Sequence, residues 1–250
     1  MLNIVIPMAG AGSRFASAGY KKPKPFIDVL GKTMIERVMD NLSVKDARYI
    51  LIVRNDFLET QKQTIQQIKN DYNCKFLSVD RLTEGACCTI LLAAEEINND
   101  EPLLTANCDQ YIDINIRDYI EDCKNRDLNG SILTFFADHK KWSYARIDKK
   151  GLVTQVKEKE VISQYATVGL YYFTKGRDFV NNAIKMIANN DRVNNEFYTC
   201  PVYNYAIKSG LRIGIYNIDS NAMHGLGTPE DLEIFIREFS GSKFKKDAVC

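Results

Sequence analysis

The sequence has little of what several functional classes require. Only two histidines occur, His139 and His224, which are too few for a histidine-built metal site. The seven cysteines form no CxxC pair, and the adjacent Cys87 and Cys88 suit neither a disulfide nor zinc spacing. We therefore expect reduced cysteines that mostly pack in the interior. No nucleophile-elbow motif is present, so the sequence gives no support for acyl-enzyme chemistry.

An excess of one charge and long apolar runs are also missing. Lys and Arg number 33, Asp and Glu number 32, and the net charge is +1. This balance provides no broad attraction to nucleic acid or to an acidic membrane, so a bound anion must be met by a local cluster. No apolar run approaches the roughly 18 residues of a membrane span, and the N-terminus lacks the features of a secretory signal. We expect a cytoplasmic protein without nucleic-acid or membrane partners, and the sequence leaves a homo-oligomer open.

The hydrophobic fraction of 45% is enough for a large core. In the first half, short β-branched runs alternate with helical periodicity, which is the pattern of βαβ units in a parallel sheet. The predicted strands of this half are 4–6, 49–53, 76–79, 103–105 and 132–136, and the predicted helices are 34–42, 57–68 and 91–94. The right-handed crossovers of such units place a ligand at the carboxyl ends of the strands.

The pattern changes after about residue 138. The second half has predicted strands at 143–147, 152–156, 168–173 and 212–216, and predicted helices at 179–188 and 197–207. A last helix opens with Thr228 as N-cap and Pro229 at its first position, and 243–246 is expected to be a solvated tail. The predicted fold is α/β, a Rossmann-like and mostly parallel sheet with a smaller β-rich insertion.

The strongest chemical signal is IPMAGAGSRF at 6–15. A predicted strand opens there into a loop in which Gly10 and Gly12 let backbone N–H groups approach an anion closely. The loop lacks the spacing of a Walker A motif, and Phe15 occupies the third glycine position of a dinucleotide fingerprint. The pattern indicates a phosphate cradle of another kind.

Cationic side chains accompany this loop. Ser13 and Arg14 follow its glycines and add a hydroxyl and a planar positive fork, while KKPKPF at 21–26 sets Lys24 between two prolines. Together with the glycine loop, Arg14 and Lys24 would give a phosphate group a local positive cluster. Asp109 follows an apolar run at 103–106, so its carboxylate is expected at a strand end, where it can ligate Mg²⁺.

These motifs resemble those of the nucleotidyltransferases that make activated sugars, whose signature is a GxGxRx loop followed by a PK lysine. The resemblance extends over most of the chain, in the same order: TEGA at 83–86, NCD at 107–109, EK at 158–159, GLY at 169–171 and GLGTP at 225–229. It implies transfer of a nucleoside monophosphate from CTP, UTP or dTTP to a phosphorylated small acceptor such as a sugar 1-phosphate. It also implies that pyrophosphate is released, that Mg²⁺ is the cofactor and that the product serves surface-polysaccharide synthesis.

The resemblance also implies a division of the chain and roles for its residues. The nucleotide-binding half spans 1–137, the acceptor-binding half 138–227, and a closing helix and tail 228–250. The implied catalytic residues are Arg14, Lys24 and Asp109, of which Asp109 is also the metal ligand. In such a reaction Arg14 and the loop amides would hold the β and γ phosphates, and Lys24 would neutralise charge near the α phosphate. The implied nucleotide-binding residues are Ala9, Gly10, Gly12, Ser13, Asp80 and Gly85, and the implied acceptor-binding residues are Glu158, Lys159 and Gly169.

One position departs from the family pattern. Many relatives have a second metal aspartate two residues before the glycine of the GTP turn, where this chain has Gly225, and the candidates to replace it are Asp219 and Glu196. Two alternatives stay open. A glycosyltransferase of similar architecture could use NCD as a degraded DxD motif, and a non-catalytic nucleotide-binding homologue would explain Gly225. Pyrophosphate release would distinguish the main prediction from both.

Asp80 leads to a prediction about the base. Relatives that read thymine or uracil often have a glutamine about five residues before the glycine of the base segment, and counting back from Gly85 reaches Asp80. An ionised carboxylate only accepts hydrogen bonds, so Asp80 would suit the amine of cytosine and repel a carbonyl edge. The alternative is that Asp80 simply ends a strand as a turn residue.

Overall fold

The structure is a computed structural model that describes residues 1–241. The strands are β1 (Leu2–Pro7), β2 (Asp28–Val29), β3 (Lys32–Thr33), β4 (Ala47–Arg54), β5 (Cys74–Val79), β6 (Leu103–Ala106), β7 (Gln110–Ile112), β8 (Gly130–Phe136), β9 (Ser143–Ile147), β10 (Val153–Glu158), β11 (Tyr165–Phe173), β12 (Ile213–Ile218) and β13 (Met223–Gly225). Nine of the strands in this part of the chain form a central sheet, and the pairs β2–β3 and β7–β13 form two small sheets. The helices are α1 (Ser13–Ser17), α2 (Met34–Asn41), α3 (Asn55–Thr60), α4 (Lys62–Asp71), α5 (Ala86–Leu91), α6 (Ala94–Ile97), α7 (Ile116–Asn125), α8 (Gly176–Ala188), α9 (Val202–Lys208) and α10 (Pro229–Phe239).

The first half of the chain builds the parallel part of the sheet. Strands β5, β4, β1 and β6 lie side by side in that order, and every pairing among them is parallel. Strand β11 runs antiparallel beside β6 and continues along β8 and β9, while β12 joins β8 and β10 joins β9. The predicted α/β class with a Rossmann-like parallel core is confirmed, and the β-rich segment extends the same sheet through β11.

The inner parallel strands β1, β4 and β6 are buried on both faces, whereas the edge strand β5 is partly exposed. Along β1, Ile4 and Ile6 belong to one core and Val5 to the other, and each has no exposed surface. Side chains alternate between the faces of a strand, so a run of apolar residues serves two cores at once. Each such side chain contributes about 1.5 to 3 kcal/mol of burial free energy, which is why uninterrupted β-branched runs predict these strands well.

Helices α2 and α10 begin at side-chain caps. Thr33 and Glu36 form a reciprocal capping box at the start of α2. Thr228 accepts a hydrogen bond from the Asp231 backbone N–H, and Pro229 begins α10, as predicted. The stretch 243–246 lies outside the described residues.

Some elements differ from their predictions. The helix predicted over 197–207 begins only at Val202, because Phe197 is held by backbone hydrogen bonds to the segment before α5. The helix predicted over 57–68 is interrupted at Gln61 between α3 and α4. Helix α7 is present although it was not predicted. The short strand pairs β2–β3 and β7–β13 were not predicted either, because strands of two or three residues carry no periodic signal. No helix in residues 1–241 is both long and apolar enough to cross a membrane.

Candidate active site

A cleft of about 410 Å³ opens at the carboxyl ends of β1 and β6. Four segments and one lysine turn line it. They are residues 7–12, Lys24 with Pro25, a wall of Leu82, Thr83, Gly85, Ala86 and Thr89, the strand-end run 107–109, and Glu196 with Tyr198. Because parallel strands end at one edge of a sheet, residues about 100 positions apart meet there, as the βαβ pattern predicts.

The glycine loop and Lys24 are packed directly against each other. Gly12 has a left-handed backbone, with φ of 61°, and precedes α1. A Cβ at Gly12 would lie 3.3 Å from the Cβ of Lys24, so a larger residue would push the lysine away from the loop. Lys24 itself starts a short 3-10 turn, Lys24–Phe26, that carries Phe26 into the core. The loop and the lysine therefore form one unit on the cleft surface.

Lys24 and Asp109 form the ion pair of the cleft. The Lys24 Nζ donates to Asp109 Oδ2 at 2.5 Å, and their side chains are only 17% and 18% exposed. Burial lowers the pKa of Lys24, but Cys108 and Asp109 raise it by more, and the net direction is above the ordinary value. Lys24 is thus a permanent cation at neutral pH, which suits charge stabilisation and not proton transfer.

The turn formed by Gly227, Thr228 and Pro229 is held against the same aspartate. The Leu226 backbone N–H donates to the Asp109 carbonyl oxygen at 2.7 Å, and β13 pairs with β7 immediately after Asp109. A Cβ at Gly227 would lie 2.9 Å from Asp109 Oδ2. Glycine at this position therefore lets the turn approach the carboxylate.

A second chain segment is pinned to the wall that contains Gly85. The Phe197 N–H donates to the Glu84 carbonyl at 2.7 Å, and the Cys87 N–H donates to the Phe197 carbonyl at 3.0 Å. Gly85 has φ of 116°, and a Cβ there would lie 2.5 Å from the Phe197 oxygen. This pairing carries Glu196 and Tyr198, which flank Phe197, to the cleft. The sequence marks Glu196 only as a candidate metal ligand and gives no sign of Tyr198, because no local pattern marks a loop paired across more than 100 residues.

Gly169 brings the second half of the chain to Asp109's neighbours. It has φ of 99° and lies where the pairing of β11 with β8 shifts register. A Cβ at Gly169 would lie 2.4 Å from both Asn107 Nδ2 and Gln110 Oε1. The Asn107 amide donates to Gln110 at 3.3 Å, so this polar pair fills the space that a side chain at Gly169 would need.

Glu158 and Lys159 lie beside the cleft and connect to it through Tyr198. The Lys159 Nζ donates to the Tyr198 hydroxyl at 2.6 Å and lies 4.6 Å from its ring centre. Glu158 accepts a hydrogen bond from the Ser143 hydroxyl. Burial raises the pKa of Glu158, Ser143 and Lys159 oppose that rise, and the carboxylate of Glu196 adds to it. An acidic and a basic group are therefore adjacent at this end of the site.

Several predicted residues lie outside the set that lines the cleft. Ser13 and Arg14 are exposed in α1. Arg14 is nevertheless near enough to Lys24 for its charge to lower the Lys24 pKa slightly against the other contributions. Asp80 is exposed just after β5, and the structure does not bring it to the cleft. Asp219 accepts from the Asn221 N–H in the turn Ser220–Ala222 and is exposed. Of the two carboxylates considered as replacements at Gly225, only Glu196 reaches the cleft.

The donor set of the cleft limits how a metal could bind. Among residues 1–241, no group of three or more His, Cys, Asp or Glu side chains is arranged to hold an ion. Asp109 supplies a hard carboxylate oxygen of the kind that Mg²⁺ prefers. This fits an ion that arrives on nucleotide phosphates, with phosphate oxygens and water as its other ligands, because Mg²⁺ commonly keeps such ligands.

Cys108 lies between Asn107 and Asp109 and lines the cleft. Burial raises its pKa to about 11, with Asp109 adding to the rise and Lys24 opposing it. A thiol with that pKa stays protonated at neutral pH and is a poor nucleophile. Cys108 is therefore not a candidate nucleophile of the cleft. All six cysteines of the described residues are free thiols.

Comparison with known proteins agrees with this geometry. A family model described as nucleotidyl transferase matches residues 4–218. The bifunctional protein GlmU of Clostridium novyi (strain NT) is 25% identical over 241 residues, which are 90% of this chain and 49% of GlmU. The chain therefore spans about half the length of that curated relative.

Two solved structures share the fold over nearly the whole chain. The nucleoside-diphosphate-sugar pyrophosphorylase of Vibrio cholerae RC9 has a TM-score of 0.80 and 25% identity, over 94% of this chain and 99% of that one. A putative glucose-1-phosphate thymidylyltransferase of Bacillus anthracis, solved in complex with a sucrose, has a TM-score of 0.76 and 16% identity, over 98% and 97%.

Proposed function

The chain belongs to the nucleotidyl transferase family, and we propose that it transfers a nucleoside monophosphate from CTP, UTP or dTTP to a sugar 1-phosphate or a similar phosphorylated small molecule. The observation that carries this proposal is the single cleft that joins the glycine loop, Lys24 and Asp109. Those parts meet the charge of a triphosphate, and the Cys108 thiol of the cleft stays protonated and is a poor nucleophile.

The proposed reaction is a direct displacement. An oxygen of the acceptor phosphate bonds to the α phosphorus, the bond from that phosphorus to the bridging oxygen breaks, and pyrophosphate leaves with the electron pair. Negative charge grows on the phosphate oxygens during this step, so positioning and electrostatic stabilisation supply most of the rate. Loop amides at residues 9–12 and Arg14 bind the β and γ phosphates, while Lys24 stabilises charge near the α phosphate.

Asp109 would hold Mg²⁺, whose charge offsets that of the phosphates when it is bound. Asp109 also orients Lys24 through their ion pair. One carboxylate would therefore both position Lys24 and hold the Mg²⁺ that accompanies the nucleotide. Gly225 leaves no second aspartate in the family position, and Glu196 is the carboxylate that the cleft offers in addition to Asp109.

The acceptor is assigned to the second half of the chain. Lys159 is a cation suited to the acceptor phosphate, and Glu158 can accept from hydroxyl groups. Gly169 is buried against Asn107 and Gln110, and we assign it to the acceptor side because its missing side chain leaves room for that polar pair. We place the nucleotide-binding half at 1–137, the acceptor-binding half at 138–227 and the closing segment at 228–250. Activated precursors of surface polysaccharide are the proposed products, made in the cytoplasm where nucleoside triphosphates are available.

The test is a matrix of common NTPs against sugar 1-phosphates, phosphocholine and other phosphorylated metabolites, with Mg²⁺ and detection of pyrophosphate. Strong turnover in one combination supports the proposal and identifies base and acceptor together. Free nucleoside diphosphate released from a nucleotide sugar would instead indicate a glycosyltransferase. Nucleotide binding without turnover for any acceptor would indicate a non-catalytic homologue. Size-exclusion chromatography with light scattering on the same sample reports whether the chain forms a homo-oligomer.

A further inference from the structure

One wall of the cleft is formed by uncharged residues. Leu82, Thr83, Gly85, Ala86 and Thr89 line it, and Leu82 is 59% exposed. The phosphates of a nucleotide are met by the glycine loop and Lys24, so this wall is left for the base. A flat aromatic ring needs such an apolar surface and a few polar atoms for its edge.

The polar atoms of this wall form a closed triangle. The hydroxyl oxygens of Thr83 and Thr89 are 2.6 Å apart. They lie 3.1 Å and 3.2 Å from the carbonyl oxygen of Gly85. Thr89 is buried in α5 and Thr83 is half-buried, so water cannot freely replace these contacts.

Counting hydrogens shows what the triangle presents to a ligand. Each threonine hydroxyl has one hydrogen and two acceptor lone pairs. One hydrogen is used between the two hydroxyls, and the other is donated to the Gly85 carbonyl, whichever threonine donates where. Both hydrogens are therefore used inside the triangle, and only acceptor lone pairs remain for the cleft.

The carbonyl that receives this hydrogen cannot turn away. Gly85 has φ of 116°, and Phe197 backbone atoms would lie as close as 2.5 Å to a Cβ there. The Gly85 carbonyl also accepts the Thr89 backbone N–H at 3.1 Å, in the first turn of α5. The acceptor character of the wall is thus built in before a nucleotide binds.

We propose that the paired hydroxyls of Thr83 and Thr89 accept a hydrogen bond from an exocyclic amine of the base and thereby select an amino-bearing base over its carbonyl counterpart. This inference rests on the proposed function, because it takes the ligand to be a nucleoside triphosphate. A carbonyl edge would meet acceptors only, unless one hydroxyl gave up its bond within the triangle. Loss of one net hydrogen bond corresponds to about tenfold in affinity. Cytosine is the amino-bearing pyrimidine, so the wall leads to the same base as the Asp80 prediction through different residues.

The experiment uses two pairs of nucleotides that differ at the amine, CTP against UTP and ATP against ITP. Affinities are measured by calorimetry on the full chain with Mg²⁺ and without acceptor, and kcat/KM is added for any pair that is turned over. The variants are Thr83→Val, Thr83→Ser and the double variant Thr83→Val with Thr89→Val. Thr60→Val is the matched control, because Thr60 donates to the Asp56 carbonyl at an exposed position of α3, away from the cleft.

We expect the amine member of the accepted pair to bind at least about tenfold more tightly in the wild type. That ratio should fall toward one in the double variant, decrease in Thr83→Val, and persist in Thr83→Ser and Thr60→Val. Preference for UTP or ITP in the wild type, equal binding within both pairs, or an unchanged ratio in a folded double variant overturns the inference. No binding of any nucleotide overturns both this inference and the proposed function. Amine preference in binding without turnover for any acceptor supports the inference and contradicts only the proposed function.

Discussion

Replacing Asp109 by asparagine is the most direct test of the catalytic cleft. The change keeps the shape of the side chain and removes the charge that faces Lys24 at 2.5 Å. It also replaces the proposed carboxylate ligand for Mg²⁺ by a neutral amide, which binds that ion less well. The variant therefore removes the partner that positions Lys24 and a proposed ligand of the ion.

The structure sets the expected size of the effect. The Lys24 and Asp109 side chains are 17% and 18% exposed, so solvent screens their interaction only in part. Loss of a charge-assisted hydrogen bond of this kind costs about 1.5 to 3 kcal/mol of stability. Loss of support for the catalytic ion should lower kcat by at least about 10²-fold, which corresponds to roughly 2.7 kcal/mol in the barrier.

The assay is steady-state pyrophosphate release at saturating Mg²⁺ and substrate, with urea denaturation to measure the free energy of unfolding. Asp219→Asn is the matched control, since Asp219 caps the exposed turn Ser220–Ala222 and the same charge is lost there without effect on the cleft. Its kcat should equal that of the wild type. A folded Asp109→Asn enzyme with nearly normal kcat would remove Asp109 from the mechanism.

Three further predictions concern other parts of the site. Arg14→Ala should raise KM for the nucleotide, whereas Lys24→Ala should mainly lower kcat, because charge near the α phosphate grows in the transition state. An effect of Lys24→Ala on KM alone would place Lys24 on ground-state phosphates. Gly85→Ala should lower the free energy of unfolding by at least about 2 kcal/mol in urea denaturation, because the φ of 116° and the Phe197 backbone exclude a Cβ. Gly10→Ala should leave it unchanged, because a Cβ at Gly10 meets no atom within 4 Å. Equal stabilities of the two variants would contradict this packing argument. Burial raises the pKa of Glu158, so the wild type should lose stability as pH rises through that pKa, and Glu158→Gln should lack this loss; parallel pH profiles of unfolding free energy for the two proteins would refute it.

Local patterns in the sequence were sufficient for the parallel core and for the main cleft residues. The runs at 49–53 and 103–105 are fully apolar or β-branched because both faces of their strands are buried, and that pattern is visible without any tertiary information. Asp109 and the glycine loop were placed together because the ends of parallel strands share one edge of a sheet. Helix α7 was missed although Ile116, Ile120 and Cys123 carry its spacing, since they stand in a charged segment.

The rest depended on contacts between distant parts of the chain. Glu196 and Tyr198 reach the cleft because the Phe197 backbone pairs with Glu84 and Cys87, and backbone hydrogen bonds leave no signature in residue type. The same pairing limits the helix predicted over 197–207. For the same reason the sequence could nominate both Asp219 and Glu196 as replacement carboxylates, and only the tertiary structure separated them.

What the sequence by itself determined was the α/β architecture, the glycine loop with its lysine, and the strand-end aspartate. Each of these arises from residues near one another in the chain, whose periodicity, turn preference or charge acts locally. The tertiary structure decided which side chains share the cleft, the ion pair of Lys24 with Asp109, and the triangle of Thr83, Thr89 and Gly85. The distances between these side chains and their exposure depend on how the whole chain packs, and the distances in turn set the direction of the hydrogen bonds. No short stretch of sequence could therefore specify the chemistry of the site.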